Sequence, residues 1–428
     1  MSLPDLQLVL AVGIFLLTYA LVVTEKIHRA VAALLGASLV IFLGIIDQDR
    51  AIASIDFNTI GLLIGMMIIV GITRQTGVFE YMAILAARLV RGRPAPLMVA
   101  LALVTAVLSA FLDNVTAVFL VVPVTFAITS KLQLSPLPFL IAEIIASNIG
   151  GTATLIGDPP NIMISGPAGL GFVDFIVNLA PIALVALFIS LAVLYAVFGR
   201  RMQVERQLQE KVAAMEAREF LRKPVLLWQS LTVLGLTITG FLLHQFVHLP
   251  TAAIALGGAT LLLLISREEP DKVLAEVEWP TLFFFGGLFV IVGALEEVGV
   301  IEAVAGLTLD LTGGALLPTG LLILWVSAIA SALVDNIPFV AAMIPLLQEI
   351  GRIGGDTELV PLWWSLALGA CLGGNGTLVG AAANVIVAGL AEKHGRPLPF
   401  LEYLKIGLPI TLLSVILATL YLMAFYLR

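Results

Sequence analysis

Two short polar stretches interrupt an otherwise apolar sequence, and each joins a carboxylate to an amide: Asp113-Asn114-Val115-Thr116 and, 222 positions later, Asp335-Asn336-Ile337-Pro338. A carboxylate among apolar residues is costly unless it is paired, protonated or bound to a cation. Each stretch is followed by a proline, Pro123 and Pro345, and then by a Gly/Thr/Asn-rich run. The first run is Gly150-Gly151-Thr152-Ala153-Thr154-Leu155-Ile156-Gly157-Asp158-Pro159-Pro160-Asn161; the second, Gly373-Gly374-Asn375-Gly376-Thr377-Leu378-Val379-Gly380-Ala381-Ala382-Ala383-Asn384, aligns at an offset of 223. The chemistry these residue types offer is ion and small-solute binding.

For Asp113 and Asp335 the functional reading is a cation or proton site, including Na+ at the tips; the bland one is N-capping of the following helix. Asn114, Thr116 and Asn336 carry the same two readings. In the runs, Gly150, Gly151, Gly373 and Gly374 let backbone approach a ligand closely. Thr152, Thr154, Asn161, Asn375, Thr377 and Asn384 supply neutral donors and acceptors, and carbonyls freed at broken helices suit a cation. The competing reading is helix packing through small residues. The likeness to a phosphate loop is superficial, since no Gly-Lys-Ser/Thr follows and no strand precedes.

Two carboxylates break the repeat. Asp158 has Ala381 as its counterpart and precedes Pro159-Pro160, which suit a first helical turn; capping and coupling both remain open. Glu143, one turn before Ser147 and Asn148, has Leu366 as its counterpart. Burial there penalises the charged form, so Glu143 is the leading candidate for a proton carrier, against the reading of a Glu satisfied by a polar neighbour. Proton coupling is thus expected at Glu143, Asp113, Asp335 and Asp158. His28, His244, His248 and His394 lie at loop edges, so no central metal site is expected. No Lys or Arg is expected deep in a span, which favours a cation or a neutral trihydroxy metalloid over a multivalent anion.

The elements that position these residues follow from composition. Of 428 residues, 60% are hydrophobic and 12% charged, against about 25% charged in soluble proteins. This is a polytopic membrane protein. A single cysteine, Cys371, excludes an internal disulfide, no basic stripe suggests nucleic acid, and the apolar N-terminal stretch reads as a retained span.

Runs long enough to span fall near 5–24, 30–46, 58–73, 173–199, 224–243, 251–265, 280–295 and 403–427. Regions 97–130 and 319–348 are too long for one span and carry the Asp-Asn pairs at mid-length, as re-entrant hairpins would. Regions 136–166 and 361–391 read as broken spans. The expected fold is therefore all-α: two inverted repeats of about five transmembrane helices, 1–199 and 224–428, each with a re-entrant hairpin and a broken helix. A mixed-charge linker, 200–223, is expected to be a solvated joint without a site. Gly65, Gly71, Gly77 and Glu80 reappear as Gly287, Gly293, Gly299 and Glu302. Stretches 77–92 and 298–312 read as short interfacial helices.

With the linker cytoplasmic and both termini external, 19 of the 22 Lys and Arg fall on the cytoplasmic side, leaving only Arg50, Arg352 and Arg428 opposite; this follows the positive-inside rule. The first hairpin then opens from the cytoplasm and the second from outside.

On Leu112-Asp113-Asn114-Val115-Thr116, Ser147-Asn148-Ile149-Gly150-Gly151-Thr152-Ala153-Thr154, Ile156-Gly157-Asp158-Pro159-Pro160-Asn161 and Asp335-Asn336-Ile337-Pro338, the chain resembles the ion transporter superfamily. Within it the resemblance is to the ArsB/P-protein branch, related to NhaD-type antiporters. It implies a scaffold and a transport domain (97–166 and 319–391), elevator-like movement, a possible homodimer and a soluble ATPase partner. It also implies a plasma-membrane location, the bacterial inner membrane, and no cofactor beyond a proton or Na+ as coupling ion. Proton-coupled arsenite/antimonite efflux is the function expected, with sodium/proton antiport as the alternative. Dicarboxylate symport is disfavoured, because that branch carries Ser-Asn-Thr at its hairpin tips. An intramembrane enzyme is disfavoured because Asp113 and Asp335 sit in inverted halves and no protease motif is present, and a non-transporting receptor would not need the twofold broken-helix design.

Overall fold

The computed structural model describes residues 3–427 except 25, 200, 201, 248 and 355–357. His248 and Arg428, and the first two linker residues, Arg200 and Arg201, therefore lie outside the described residues. Among those described, all regular structure is helical.

The first repeat comprises α1 (Leu3–Thr24), α2 (Arg29–Phe42), α3 (Gln48–Ala53), α4 (Phe57–Arg74), α5 (Val78–Leu89), α6 (Pro94–Phe111), α7 (Asn114–Lys131), α8 (Leu137–Thr152), α9 (Pro159–Ala168) and α10 (Phe172–Phe198). After α11 (Arg206–Ala213) in the linker come α12 (Pro224–Val247), α13 (Thr251–Ser266), α14 (Pro270–Ala275), α15 (Trp279–Glu297), α16 (Val300–Thr312), α17 (Leu316–Leu333), α18 (Asn336–Gly354), α19 (Val360–Gly373), α20 (Ala382–Lys393) and α21 (Phe400–Phe425). Helix for helix, α12–α21 repeat α1–α10. Helices α6 and α7 form one hairpin, α17 and α18 the other, while α8/α9 and α19/α20 are the two broken helices.

The repeats interlock. Helix α2 packs on α15 and α4 on α13, so each pair joins one repeat to the other. Glycine makes these crossings close, as is usual where small residues let membrane helices approach. A Cβ on Gly65 would lie 2.5 Å from the carbonyl carbon of Ala255, and one on Gly287 would lie 2.7 Å from that of Ala33. The same pairing recurs where the hairpins meet the broken helices: a Cβ on Gly150 would lie 2.3 Å from the Ala106 carbonyl oxygen, and one on Gly373 2.5 Å from that of Ala328. These four glycines are fixed by packing.

Ten helices are long and apolar enough to cross a membrane among the described residues. Helices α2 and α13 are shorter, at 14 and 16 residues. At 1.5 Å per residue α2 reaches about 21 Å, less than a hydrocarbon core of about 30 Å, so one of its ends stops short of an interface. The linker also departs from the expectation of a solvated joint. Val212 and Ala217 are buried, the Arg222 N–H donates to the Thr76 carbonyl at 2.8 Å, and the segment packs along α5. Its apolar positions, spaced for one helical face, find a partner in the short helix that leads into the first hairpin.

Candidate functional site

Both hairpin tips and both broken helices converge at the centre of the molecule. Four helices begin there: α7 at Asn114, α9 at Pro159, α18 at Asn336 and α20 at Ala382. Their free N–H ends give the region partial positive charge. At the meeting point stands Asp158, fully buried. Asn114 donates to its Oδ1 at 3.2 Å, and Asn336 donates to Oδ1 and Oδ2 at 3.3 and 3.4 Å. Asp158 occupies the N-cap position of α9, yet its side chain makes no capping bond. The carboxylate joins the two tips instead.

The breaks in α8/α9 and α19/α20 would leave carbonyls unpaired in an apolar interior, which is costly. One amide closes each break. Asn161 donates to the carbonyls of Thr154 and Thr152 at 2.8 and 3.2 Å, and Asn384 donates to those of Gly374 and Thr377 at 2.7 and 2.8 Å. The threonines bond to backbone as well: Thr152 to Asn148, Thr154 to Ala110, and Thr377 to Ala332 at 2.6 Å. Carbonyls expected to face a ligand are thus partnered within the protein, and Gly150, Gly151, Gly373 and Gly374 are packed against neighbouring backbone or small side chains. Beside Asp158, Asn148 donates to Oδ1 of Asn375 and of Asn384, both at 2.9 Å, tying the broken helix of one repeat to that of the other. Cys371, the counterpart of Asn148, approaches Asn161 Oδ1 at 3.5 Å.

The tips differ from each other. Asp113 caps its own helix, accepting from the Thr116 N–H and hydroxyl, both at 2.7 Å. Its backbone, at φ 152° and ψ 160°, lies in a region ordinarily reserved for glycine, a conformation costing roughly 1–3 kcal/mol. In the second tip Pro338 stands where the first has Thr116, and it has neither an N–H nor a hydroxyl to offer. Asp335 accepts from the Ile337 N–H at 3.3 Å and pairs with Arg29 Nη1 at 3.2 Å. Arg29 also donates to Thr281 at 3.2 Å, and its guanidinium lies over the Phe284 ring. This corrects the expectation that no fixed positive charge reaches the site. Arg29 stands at the start of the short helix α2, at the end that meets the second hairpin tip. The missing cap at Pro338 was the signal that could have pointed to a partner from elsewhere.

Arg29, Asp113, Asp158, Glu278, Thr281 and Asn336 line a small cavity of about 30 Å³, polar and roomy enough for water. Glu143 is not among its lining residues. It is fully buried between α8 and α7, accepts from Thr125 at 2.5 Å through Oε1, and has no partner for Oε2 among the described residues.

Residues 19–369 match the family model described as citrate transporter, CitMHS. The chain belongs to this family. It is similar to an uncharacterized transporter of Mycobacterium tuberculosis, Rv2684, with 44% identity over 419 residues covering 97% of each chain. The human P protein is 37% identical over 507 residues, covering 98% of this chain and 60% of that protein. Among solved structures, the YdaH transporter of Alcanivorax borkumensis superposes with a TM-score of 0.61 at 15% identity, over 93% of this chain and 98% of that one, a likeness of fold. A CitMHS member with this helical architecture is an integral membrane transporter of the ion transporter superfamily, not an enzyme, and its kinship to the P protein fits the ArsB/P-protein branch.

Proposed function

We propose that this CitMHS protein is a cation-coupled secondary transporter in which a proton or Na+ binds at Asp158, and that its solute is a small inorganic species, with proton-coupled efflux of arsenite or antimonite the first reading. The observation that carries it is the convergence of both hairpin tips, through Asn114 and Asn336, on one buried carboxylate that the second repeat replaces with Ala381. A site assembled from two repeats senses the position of both, which a coupling ion requires. Four helix N-termini and the amides offset the carboxylate's charge in part, and the cavity wall still sets one guanidinium, Arg29, against Asp113, Asp158 and Glu278, an acidic excess that favours an added cation.

Movement would be elevator-like, with the hairpins and broken helices sliding against the interlocked α2/α15 and α4/α13 pairs. With the linker cytoplasmic, the cleft lined by His28, Arg29, Val334 and Asp335 opens on the cytoplasmic side, giving an inward-facing arrangement. A second reading, sodium/proton antiport, is favoured by the small free volume beside Asp158, which suits a bare ion.

The test is flux in proteoliposomes loaded in parallel with arsenite, Na+ or citrate under an imposed pH gradient. Arsenite movement driven by the proton gradient is expected. Sodium-dependent dissipation of the gradient without arsenite flux would select the antiporter, and citrate flux alone would overturn both.

A further inference from the structure

The two hairpin tips hold their aspartates in different ways, and the difference falls between parts of the protein that transport would move. Asp113 has its partner in cis: Thr116, three residues on, satisfies both oxygens. Asp335 has its partner in trans, on a helix that packs against α15 rather than in the hairpin. A second contact follows the same route, since the Tyr19 hydroxyl of α1 donates to the Pro338 carbonyl of the same tip. The Arg29–Asp335 pair is accessible through a cleft: the two side chains are 29% and 14% exposed and both line it. Displacement of the second hairpin relative to α2 must break this pair and leave a carboxylate with one weak backbone partner.

We propose that Arg29 is an internal counter-cation for Asp335: in the unloaded protein its guanidinium takes the position that a bound monovalent cation, Na+ or a proton, takes when the hairpin moves. The inference rests on the cation-coupled reading above and adds a second cation-exchange position to it, at the second tip, with Arg29 setting its occupancy. Chemistry supports the exchange. A guanidinium on a tethered, partly solvated arm supplies one positive charge reversibly, and at a single 3.2 Å contact rather than a bidentate fork the pair is open to exchange. The Phe284 face and the Thr281 hydroxyl keep the guanidinium in place, so it is ready to return. The other titratable groups around Asp335 are His28 beside Arg29, Tyr19 of α1, Asp158 of α9, and Glu278 and Asp113 across the cavity.

The experiment is thermal unfolding of the full-length protein in lipid nanodiscs, titrating NaCl against choline chloride at acid and alkaline pH. Wild type and R29K should respond weakly. R29Q should be destabilised but recover, with Tm rising by about 2 °C or more as Na+ or proton concentration increases; R29Q/D335N should lose that recovery. A deficit in R29Q that is equal under all conditions, or a recovery that persists in R29Q/D335N, overturns the proposal. Should R29Q fail to insert, Pro338→Thr supplies the local cap that the first tip has. R29Q in that background should then fold and gain Tm as Na+ or proton concentration increases, more than Pro338→Thr alone does, and an equal response of the two overturns the proposal. In proteoliposomes showing solute flux, R29Q should keep exchange while losing net transport. Absence of any flux in wild type would remove the transport reading and leave the unfolding result standing.

Discussion

Asn148 donates to Asn384 across 2.9 Å, so the broken helix of the first repeat is bonded to the broken helix of the second. Asn148 also accepts from Asn114, which donates to Asp158, so the bond between the broken helices is linked to the first hairpin tip.

Replacing Asn148 by Ala should therefore destabilise the whole centre. It leaves the Oδ1 atoms of Asn375 and Asn384 without this donor in a buried setting, a cost of about 1–3 kcal/mol. Thermal unfolding in nanodiscs should show a lower Tm, whereas the same change at exposed Thr239 should be nearly silent.

Asp158→Ala, which copies the residue of the second repeat, should abolish coupled flux while membrane insertion stays normal. Asn114 and Asn336 then lose their common acceptor. Vesicle flux compared with the amount of inserted protein decides the matter: full wild-type rates in the variant would exclude Asp158 as the ion site.

At the tips, Asp113→Asn and Asp335→Asn should each stop transport. Thr116→Val removes the hydroxyl that donates to Asp113, a loss of about 1 kcal/mol, yet should leave some flux, because Asp113 still caps α7 by accepting from the Thr116 N–H. Wild-type flux in both Asp→Asn variants would reduce the two aspartates to helix caps.

Glu143 lies apart from the cavity, so Glu143→Gln should alter the pH profile of transport more than the apparent solute affinity. Its Thr125 bond can be kept by the amide oxygen, which limits structural loss. An unchanged profile would leave Glu143 as a buried structural carboxyl.

Gly65→Ala and Gly287→Ala place a methyl within 2.7 Å of backbone in the crossings that join the repeats. Each should lower stability by about 1–3 kcal/mol, the usual cost of overpacking. Gly13, where a Cβ would meet nothing within 4 Å, is the control expected to tolerate Ala.

Much of the architecture was legible in the sequence. The apolar runs set the helices, the 222–223 offset revealed the repeat, and the odd crossing count fixed its inversion, because a membrane leaves backbone few ways to satisfy its hydrogen bonds. The polar stretches were found for the same reason: an Asp-Asn pair amid apolar residues is costly enough to demand a purpose. What sequence could not assign was the partner of each group. The Thr, Asn and Gly residues of the runs looked alike as ligands, yet most of them close helix breaks or bring backbones together, while Asp158 collects the amides of both tips. Arg29 falls, by hydropathy, in the loop just before the apolar run at 30–46. Only the tertiary structure brought it to Asp335, across 306 positions of chain, because α2 is short and packs on the opposite repeat. Hydropathy is a property of neighbours in sequence and so determined the elements; pairing depends on how two repeats interlock in space, and that decided the site.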